Sequence, residues 1–313
     1  MKGLFIVNPS SGRQNFQQKL KDIMGTLIYE QICSTIDVYF TEKQDDAMQK
    51  AASLKPGEYD FVVSVGGDGT LNEVINGIMI GRSEIPVAVI SFGTVNDFAT
   101  YLQLPQDTKH FCDIIRHLRV KKVDVGKAND KYFINVVAAG LLTDIGYKVP
   151  KDKKAAMGKM AYYMEGAMDL PKKFNKAFKL RFELGDGMIE EEVLLFIVAN
   201  SQSVGGFREI APMASTTDGV FDLIIIKTMD ILQVTPLLLS ILSGDHVNHP
   251  CVEYHQIKKL QVMNLSDELI TVDYDGEKLE DDWPLNVEVI PAGINIVVSD
   301  KNKWNYSIGE YND

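Results

Sequence analysis

An apolar run at 61–65 ends directly in a turn that is rich in glycine and carries one acidic side chain. A strand that turns into a helix in this way presents free backbone N–H groups and the positive end of a helix dipole, which together bind phosphate. Asp68 would repel a phosphate unless Mg²⁺ lay between the two. For this segment alone, an ordinary turn with Asp68 as a helix cap is the alternative. The turn consists of Gly66, Gly67, Asp68, Gly69, Thr70, Leu71 and Asn72.

Two other apolar runs in the first half of the chain are also followed by small polar residues. The run at 2–7 leads into Asn8-Pro9-Ser10-Ser11-Gly12, and the run at 86–90 leads into Ser91-Phe92-Gly93-Thr94-Val95-Asn96-Asp97-Phe98. Each stretch by itself also fits an ordinary turn with a helix cap. Because the carboxyl ends of parallel strands meet at one edge of a sheet, the repeated pattern predicts a nucleotide site at that edge.

The order of apolar runs predicts an α/β protein with two domains. Residues 1–122 alternate strands and helices, which is typical of an open parallel sheet, here a nucleotide-binding domain. Residues 123–293 contain short strands joined by polar turns, which predicts an antiparallel β-sandwich. Helical inserts are predicted at 155–170 and 230–243, and a strand within 294–313 is predicted to return to the first domain.

Composition and charge exclude several classes of function. The 313 residues include 43 Asp and Glu against 32 Lys and Arg, and a net charge of −11 argues against nucleic-acid binding. No run of apolar residues is long enough to predict a membrane span. Three cysteines without paired spacing predict reduced thiols in a cytoplasmic protein.

Several catalytic and metal motifs are absent from the sequence. There is no glycine loop ending in Lys-Ser or Lys-Thr, no Gly-x-Gly-x-x-Gly fingerprint and no Gly-x-Ser-x-Gly elbow. The P-loop, dinucleotide-binding and serine hydrolase interpretations therefore lose their main support. His246, His249, Cys251 and His255 lie close together, but their spacing matches no standard zinc pattern.

Taken together, these motifs resemble the diacylglycerol kinase catalytic domain in its bacterial lipid kinase form. The glycine turn is shared with NAD kinases and phosphofructokinases, whereas the runs at 8–12 and 93–98 favour the lipid kinases. The resemblance continues through the second half in Gly205-Gly206-Phe207, Ala211-Pro212-Met213-Ala214, Asp218-Gly219 and Asp275-Gly276-Glu277.

The resemblance implies a two-domain fold that binds ATP in the cleft between the domains and transfers its γ-phosphoryl group to a lipid hydroxyl. It also implies which positions contact the nucleotide. They are Asn8, Pro9, Ser10, Ser11, Gly12, Thr41, Gly66, Gly67, Asp68, Gly69, Thr70, Leu71, Asn72, Thr94, Asn96 and Asp97.

Acidic residues are the expected catalytic and metal-binding groups. By the resemblance, Glu277 is the general base, and Asp218 binds a structural Mg²⁺ with backbone carbonyls near Ser215 and Val220. The family often has two acids before this glycine, whereas Thr217 occupies one of those places here. Phosphoryl transfer needs charge neutralisation and alignment, so Asp68, Asp97 and Asp124 are further candidates for holding Mg²⁺ or its water shell. Plain turns and a hairpin with exposed acids remain the alternatives for 218–219 and 275–277.

A basic segment at 148–181 predicts contact with an anionic membrane surface. It contains ten Lys and Arg against three Asp and Glu, a local charge of +7, with Met and Tyr residues between the basic clusters. Such a pattern suits an interfacial helix at the inner face of the membrane. A core-packed helix with solvated charged ends is the alternative. A homodimer is also expected from the resemblance and from surplus strand edges.

Three functions remain open from the sequence. The first is an ATP- and Mg²⁺-dependent lipid kinase that converts diacylglycerol to phosphatidate. The second is a kinase for another acceptor, such as a different lipid, a sphingoid base or NAD. The third is a catalytically silent nucleotide-binding regulatory protein, against which the presence of Asp68, Asp218 and Glu277 weighs.

Overall fold

The computed structural model of the protein describes nine segments of the chain. They are residues 1–11, 16–93, 96–105, 107–140, 177–185, 187–205, 207, 209–279 and 283–299. The predicted helix at 155–170, most of the basic segment and the nucleotide positions Gly12 and Thr94 lie outside the described residues.

The first half of the chain alternates strands and helices as predicted. Its elements are β1 (Lys2–Val7), α1 (Phe16–Tyr29), β2 (Thr35–Phe40), α2 (Asp46–Ala52), β3 (Phe61–Gly66), α3 (Asp68–Gly81), β4 (Val87–Ser91), α4 (Asp97–Tyr101) and α5 (Thr108–His117). A short 3-10 turn, Pro9–Ser11, follows β1. The five-residue helix α4 is not predicted by apolar periodicity because it is too short to show a period.

The second half consists mainly of strands. Its elements are β5 (Val120–Ala128), β6 (Lys131–Phe133), β7 (Val136–Gly140), β8 (Phe178–Glu183), β9 (Met188–Ala199), β10 (Phe221–Lys227), α6 (Ile231–Ser243), β11 (Val252–Ile257), β12 (Lys259–Asn264), β13 (Val272–Tyr274), β14 (Glu277–Leu279) and β15 (Leu285–Val297). A 3-10 turn, Asp245–Asn248, follows α6. No helix of the described segments combines the length and apolar content needed to cross a membrane.

Strands β4, β3, β1 and β2 lie side by side in that order and are all parallel. Every residue of β3 is buried, because helices cover both faces of the sheet. Helices α2, α3 and α4 contribute to the core on one face, and α1 and α5 contribute to the core on the other. This arrangement confirms the predicted α/β class of the first half.

The strands of the second half pair with one another in antiparallel register. Strand β9 is central to it, since β7, β8 and β10 all pair with β9 in antiparallel register. Leu237 and Ile241 of α6 pack on this sheet together with Ile210 and Ala211 of the loop between β9 and β10. The predicted antiparallel domain and the helical insert at 230–243 are therefore present.

Strand β15 corrects the sequence interpretation of the chain near its end. The sequence predicts two strands, because Pro291, Ala292 and Gly293 interrupt the apolar run. The structure has one strand with a register shift between Ile290 and Ile294. The strand pairs antiparallel with β12 and β5 and then parallel with β4. A bulge therefore redirects this strand without ending it, and both halves of the protein share one continuous sheet.

Candidate active site

The three polar turns singled out from the sequence lie next to one another. Asn8 follows β1, Gly66 ends β3 and Ser91 ends β4, and these strands are neighbours in the parallel sheet. Hydrogen bonds hold the turns in register, from Asn8 N to Val65 O at 2.9 Å and from Phe92 N to Gly66 O at 2.7 Å. Thr41 follows the adjacent β2, and its amide donates to Val7 O at 2.9 Å. The carboxyl ends of four parallel strands thus form one edge of polar residues.

Asn8 orders the first of these turns and ties it to the glycine turn. Its Oδ1 accepts from both the amide and the hydroxyl of Ser10, at 3.0 and 2.7 Å. Its Nδ2 donates to the Thr70 hydroxyl at 3.1 Å, across from β1 to α3. Pro9 and Ser10 are exposed, whereas Asn8 and Ser11 are partly exposed. The turn therefore offers hydroxyl and amide groups beside the amino end of α3.

Helix α3 begins at Asp68 with Gly67 as its N-cap residue, and Gly67 has no side chain that could cap the helix. The first-turn amides of an α-helix have no partners within the helix itself, and an anion is one group that can accept from them. Asp68 Oδ2 accepts a hydrogen bond from the amide of Asn96 at 2.8 Å. The acid of the glycine turn thus holds the turn after β4 in place, in addition to any charge that it offers to a metal.

Asn96 has a left-handed backbone conformation, with φ of 52°. Its Nδ2 donates to Gly93 O at 2.8 Å, which closes the turn after β4. Its Oδ1 is buried and has no hydrogen-bond partner among the described residues. A buried acceptor without a partner costs free energy unless water or another group satisfies it.

Three of the predicted nucleotide residues are buried in α3. Thr70, Leu71 and Asn72 are each at most 5% exposed. Leu71 packs in the core below the sheet. Asn72 Nδ2 donates to Tyr132 O at 3.2 Å and to Asp275 Oδ2 at 3.0 Å. Asn72 therefore connects α3 to the second half of the chain, whereas Thr70 bonds to Asn8 within the first half.

Glu277 reaches the glycine turn from the second half. It begins β14, directly after a two-residue turn in which Asp275 and Gly276 have φ of 49° and 90°. Two positive φ values give a tight primed turn, which Asp-Gly favours. Glu277 Oε1 lies 3.4 Å from the position that a Cβ on Gly69 would occupy. The predicted general base therefore faces the amino end of α3, where the phosphate would bind.

Helix α4 joins the glycine turn to the loop that carries the predicted metal residues. The carboxylate of Asp97 accepts from the Ser203 hydroxyl at 3.0 Å, and Asp97 is buried. The Tyr101 hydroxyl faces Thr216, and burial raises the pKa of Tyr101. Asp97 is thus a link between the two halves of the protein.

Asp124 and Asp218 lie together at the predicted metal loop. Asp124 is 2% exposed and accepts from the amides of Gly219 and Ala292, at 2.8 and 2.7 Å. Burial and the nearby Asp124 raise the pKa of Asp218, whose Oδ1 also accepts from the amide of Val220 at 3.1 Å. The two carboxylates repel one another, and a cation would relieve that repulsion.

This donor set fits Mg²⁺ and not a metal that needs several protein side chains. Among the described residues, no three His, Cys, Asp or Glu side chains are grouped to hold a metal ion. Mg²⁺ commonly keeps several waters and takes one or two carboxylates. Asp218, with the carbonyl groups of Ser215 and Val220, is compatible with such an ion.

Four residues that organise this site have no role assigned by the sequence. Asp275 belongs to the motif at 275–277, for which a hairpin with exposed acids is the alternative, and its carboxylate accepts four hydrogen bonds, from Ile134 N, Asn135 N, Val136 N and Asn72 Nδ2 at 2.7, 2.9, 2.8 and 3.0 Å. Burial raises the pKa of Asp275, and these donors oppose that shift. Glu73, Asn76 and Ser203 also bridge elements that are distant in sequence. Their partners are far along the chain, so no local pattern identifies them.

Comparison with known proteins agrees with this geometry. The model of the diacylglycerol kinase catalytic domain matches residues 2–128, and that of the YegS C-terminal NAD kinase beta sandwich-like domain matches residues 135–298. A protein from Staphylococcus saprophyticus, named diacylglycerol kinase, is 37% identical over 86% of this chain and 87% of its own. The chain belongs to the diacylglycerol kinase family. The expected family and enzyme class, a lipid kinase, are confirmed.

Other members of the diacylglycerol kinase family match along most of their length. A diacylglycerol kinase from Staphylococcus aureus is 37% identical over 90% of this chain and 89% of its own. A crystal structure of a protein from Bacillus anthracis superimposes with a TM-score of 0.80 at 26% identity and covers 96% of both chains. The two-domain arrangement of the family therefore extends over nearly the whole of this protein.

Proposed function

We propose that this protein transfers the γ-phosphoryl group of ATP to the free hydroxyl of diacylglycerol and thereby forms phosphatidate. The observation that carries the proposal is the position of Glu277 Oε1 against Gly69, which puts a carboxylate of the second half beside the glycine turn of the first. The names of the relatives supply the acceptor, and the chemistry of the turn supplies the phosphate donor.

The phosphate groups of ATP bind at the edge formed by the polar turns. The first-turn amides of α3 face them, and Ser10 and Ser11 add hydroxyl groups from the turn after β1. The close backbone approach of Gly67 to Gly93 leaves no side chain between the turns after β3 and β4. The buried Oδ1 of Asn96 takes its missing hydrogen bond from the bound nucleotide or an ordered water.

Glu277 accepts the proton of the acceptor hydroxyl as that oxygen attacks the γ-phosphorus. One bond forms between the acceptor oxygen and phosphorus, and the bond from phosphorus to the bridging oxygen of ADP breaks. ADP leaves with that electron pair, and the proton remains on Glu277 until water removes it. Alignment of these groups accounts for most of the rate enhancement, because phosphoryl transfer needs little covalent help from the protein.

Mg²⁺ would supply positive charge to neutralise the phosphates when it is bound. Asp68 belongs to the glycine turn itself, whereas Asp97 and Asp124 are buried acids, and Asp124 lies beside Asp218. Asp218 and the carbonyl groups of Ser215 and Val220 hold a second, structural ion in this proposal. These residues also tie the loops together by hydrogen bonds, so they order the site in the absence of metal.

The lipid acceptor requires contact with a membrane surface. The basic segment at 148–181 supplies that contact in this proposal, at the inner face of an anionic membrane. Arg181, one of its described basic residues, lies on β8 and pairs with Glu190 of β9 at 3.2 Å, so this side chain contributes to the pairing of two strands. The other basic residues of 148–176 are therefore the ones to test, and Lys172, Lys173 and Lys176 form one cluster.

The decisive experiment measures transfer of labelled γ-phosphate from ATP to diacylglycerol in anionic mixed micelles with Mg²⁺. Wild type is compared with Glu277→Gln and with Glu288→Gln, whose carboxylate pairs with Lys259 on an exposed part of the sheet. We expect phosphatidate from the wild type and from Glu288→Gln, and a loss of at least about 100-fold in kcat for Glu277→Gln.

The alternatives give different results in the same assay. If the protein phosphorylates a sphingoid base or NAD but not diacylglycerol, it is a kinase, and the proposal of diacylglycerol as its acceptor is wrong. Nucleotide binding without transfer to any acceptor would favour a regulatory protein. If charge reversal at Lys172, Lys173 and Lys176 leaves vesicle binding unchanged, the proposal that the basic segment contacts the membrane is wrong.

A further inference from the structure

The carboxylate of Asp275 joins three parts of the chain that are distant in sequence. Its two oxygens accept from three consecutive amides, those of Ile134, Asn135 and Val136, and from the side chain of Asn72. The amide of Asp275 also donates to Val136 O at 3.0 Å, so the connection between β6 and β7 is bound from both sides. One acid therefore fixes α3, the β6–β7 connection and the β13–β14 hairpin relative to one another.

The hairpin lies against α3 at two neighbouring points, one of which is a hydrogen bond. Asn72 contacts Asp275, and Gly69 faces Glu277. Gly69 and Asn72 are three residues apart on a helix and so share one of its faces. Asp275 and Glu277 are two residues apart across the tight turn. The hydrogen bond from Asn72 to Asp275 therefore holds the turn against the same face of α3 that Glu277 approaches.

We propose that Asp275 is a positioning residue that holds Glu277 opposite Gly69, and that Asn72 acts through Asp275 and not through direct binding of the nucleotide. This inference rests on the proposed function, since it takes Glu277 as the general base. It differs from the expectation that Asn72 contacts ATP, because Asn72 is 4% exposed and its Nδ2 is occupied.

Asp275→Asn is the most direct test. The carboxamide keeps the size of the side chain but replaces one acceptor oxygen by an NH₂ group that would face N–H donors. We expect kcat to fall about 10- to 100-fold while KM for ATP changes less than about threefold, because Glu277 is displaced and the phosphate site is intact. Unchanged kcat in a folded variant would overturn the proposal.

A matched control lies in the same hairpin. Asp273→Asn makes the same change of charge two residues away, where the carboxylate accepts from Gly276 N at 3.1 Å. We expect this variant to keep kcat within about twofold of wild type, because the four donors to Asp275 remain satisfied. An equal loss of kcat in both variants would show that the loss comes from the change of charge in the hairpin. It would not then come from the four hydrogen bonds to the Asp275 carboxylate.

Asn72→Ala provides a second test if Asp275→Asn does not fold. It removes one of the four donors and leaves the carboxylate in place. A loss of kcat without a change in KM for ATP supports a positioning role for Asn72. A rise in KM for ATP with unchanged kcat would indicate that Asn72 binds the nucleotide. That result would overturn the proposal that Asn72 acts through Asp275.

A double-mutant cycle separates this proposal from the proposed function. If Asp275 acts only through Glu277, then Asp275→Asn combined with Glu277→Gln is no slower than Glu277→Gln alone. A further loss in the double variant, equal to that of Asp275→Asn alone, would overturn the inference. Wild-type kcat in Glu277→Gln would refute the general base itself. Full activity of Asp275→Asn beside an inactive Glu277→Gln would refute only the positioning role.

Discussion

The backbones of Gly67 and Gly93 touch across the ends of β3 and β4, so that a Cβ on Gly93 would lie 2.9 Å from the Cα of Gly67. Real Cβ atoms do not approach backbone that closely, so the turn after β4 needs glycine at position 93 in order to lie against the turn after β3. This contact is made between residues that are 26 positions apart in the chain.

Gly93→Ala is expected to separate the two turns. The added methyl group would also press on Asn96 Oδ1, so the free energy of unfolding should fall by about 1–3 kcal/mol and ATP binding should weaken. Denaturant unfolding and nucleotide titration measure the two effects. Gly25→Ala is the control, because a Cβ there meets nothing within 4 Å on an exposed position of α1. That variant should be as stable as wild type or more stable, and an equal loss in both would contradict the steric explanation.

Gly69→Ala is expected to separate stability from activity. The methyl group would make an ordinary contact of 3.4 Å with Glu277 Oε1, and alanine favours the first turn of a helix more than glycine does. The melting temperature should therefore stay at or above that of wild type. In the proposed mechanism the methyl group fills space that the acceptor hydroxyl needs, so kcat should fall about 10-fold or more. Wild-type kcat would show that the hydroxyl approaches from another side.

Asn76→Ala is expected to weaken the contact between α3 and β6. Asn76 Nδ2 donates to Tyr132 O at 2.8 Å, and its Oδ1 accepts from Tyr132 N at 2.9 Å. Losing both leaves Tyr132 N without this acceptor and leaves Tyr132 O with the longer bond from Asn72, which should lower the free energy of unfolding by about 1–3 kcal/mol. Asn295→Ala, which removes one exposed hydrogen bond to Glu84 O, should cost about 1 kcal/mol or less. Urea unfolding measures the free energy of unfolding of both variants. A similar decrease in both would contradict a special role for Asn76 in holding α3 to β6.

The cysteines are expected to differ in reactivity with pH. Burial raises the pKa of Cys112 to about 11 and also raises the pKa of Cys33, whereas Cys251 is partly exposed. At pH 8 an alkylating reagent should therefore label Cys251 before the other two, as peptide mass spectrometry can establish. Since the folded chain holds the Cys112 proton more tightly than the unfolded chain does, this group lowers stability as pH rises from about 9 toward 11. Equal labelling of all three in the native protein would contradict this.

The sequence by itself determined the local elements of the site. Each polar turn follows an apolar strand, and turn chemistry depends on residues that are adjacent in the chain, so Asn8, Gly66 and Gly93 could be placed at strand ends. The α/β class and the Asp275-Gly276 turn follow for the same reason, because periodicity and backbone preference are local properties.

Only the tertiary structure decided which of these residues meet. Asp275 is a turn residue in sequence and a four-donor acceptor in the fold, and Asn72 lies 203 positions away from it. Likewise, β15 continues through Pro291, Ala292 and Gly293 because β5 and β12 pair with it. This pairing cannot be predicted from the residues next to the interruption. Such partners come together only when the chain folds and its elements pack. Hydrogen bonds between distant residues therefore produce no periodicity or spacing that could be recognised in the sequence.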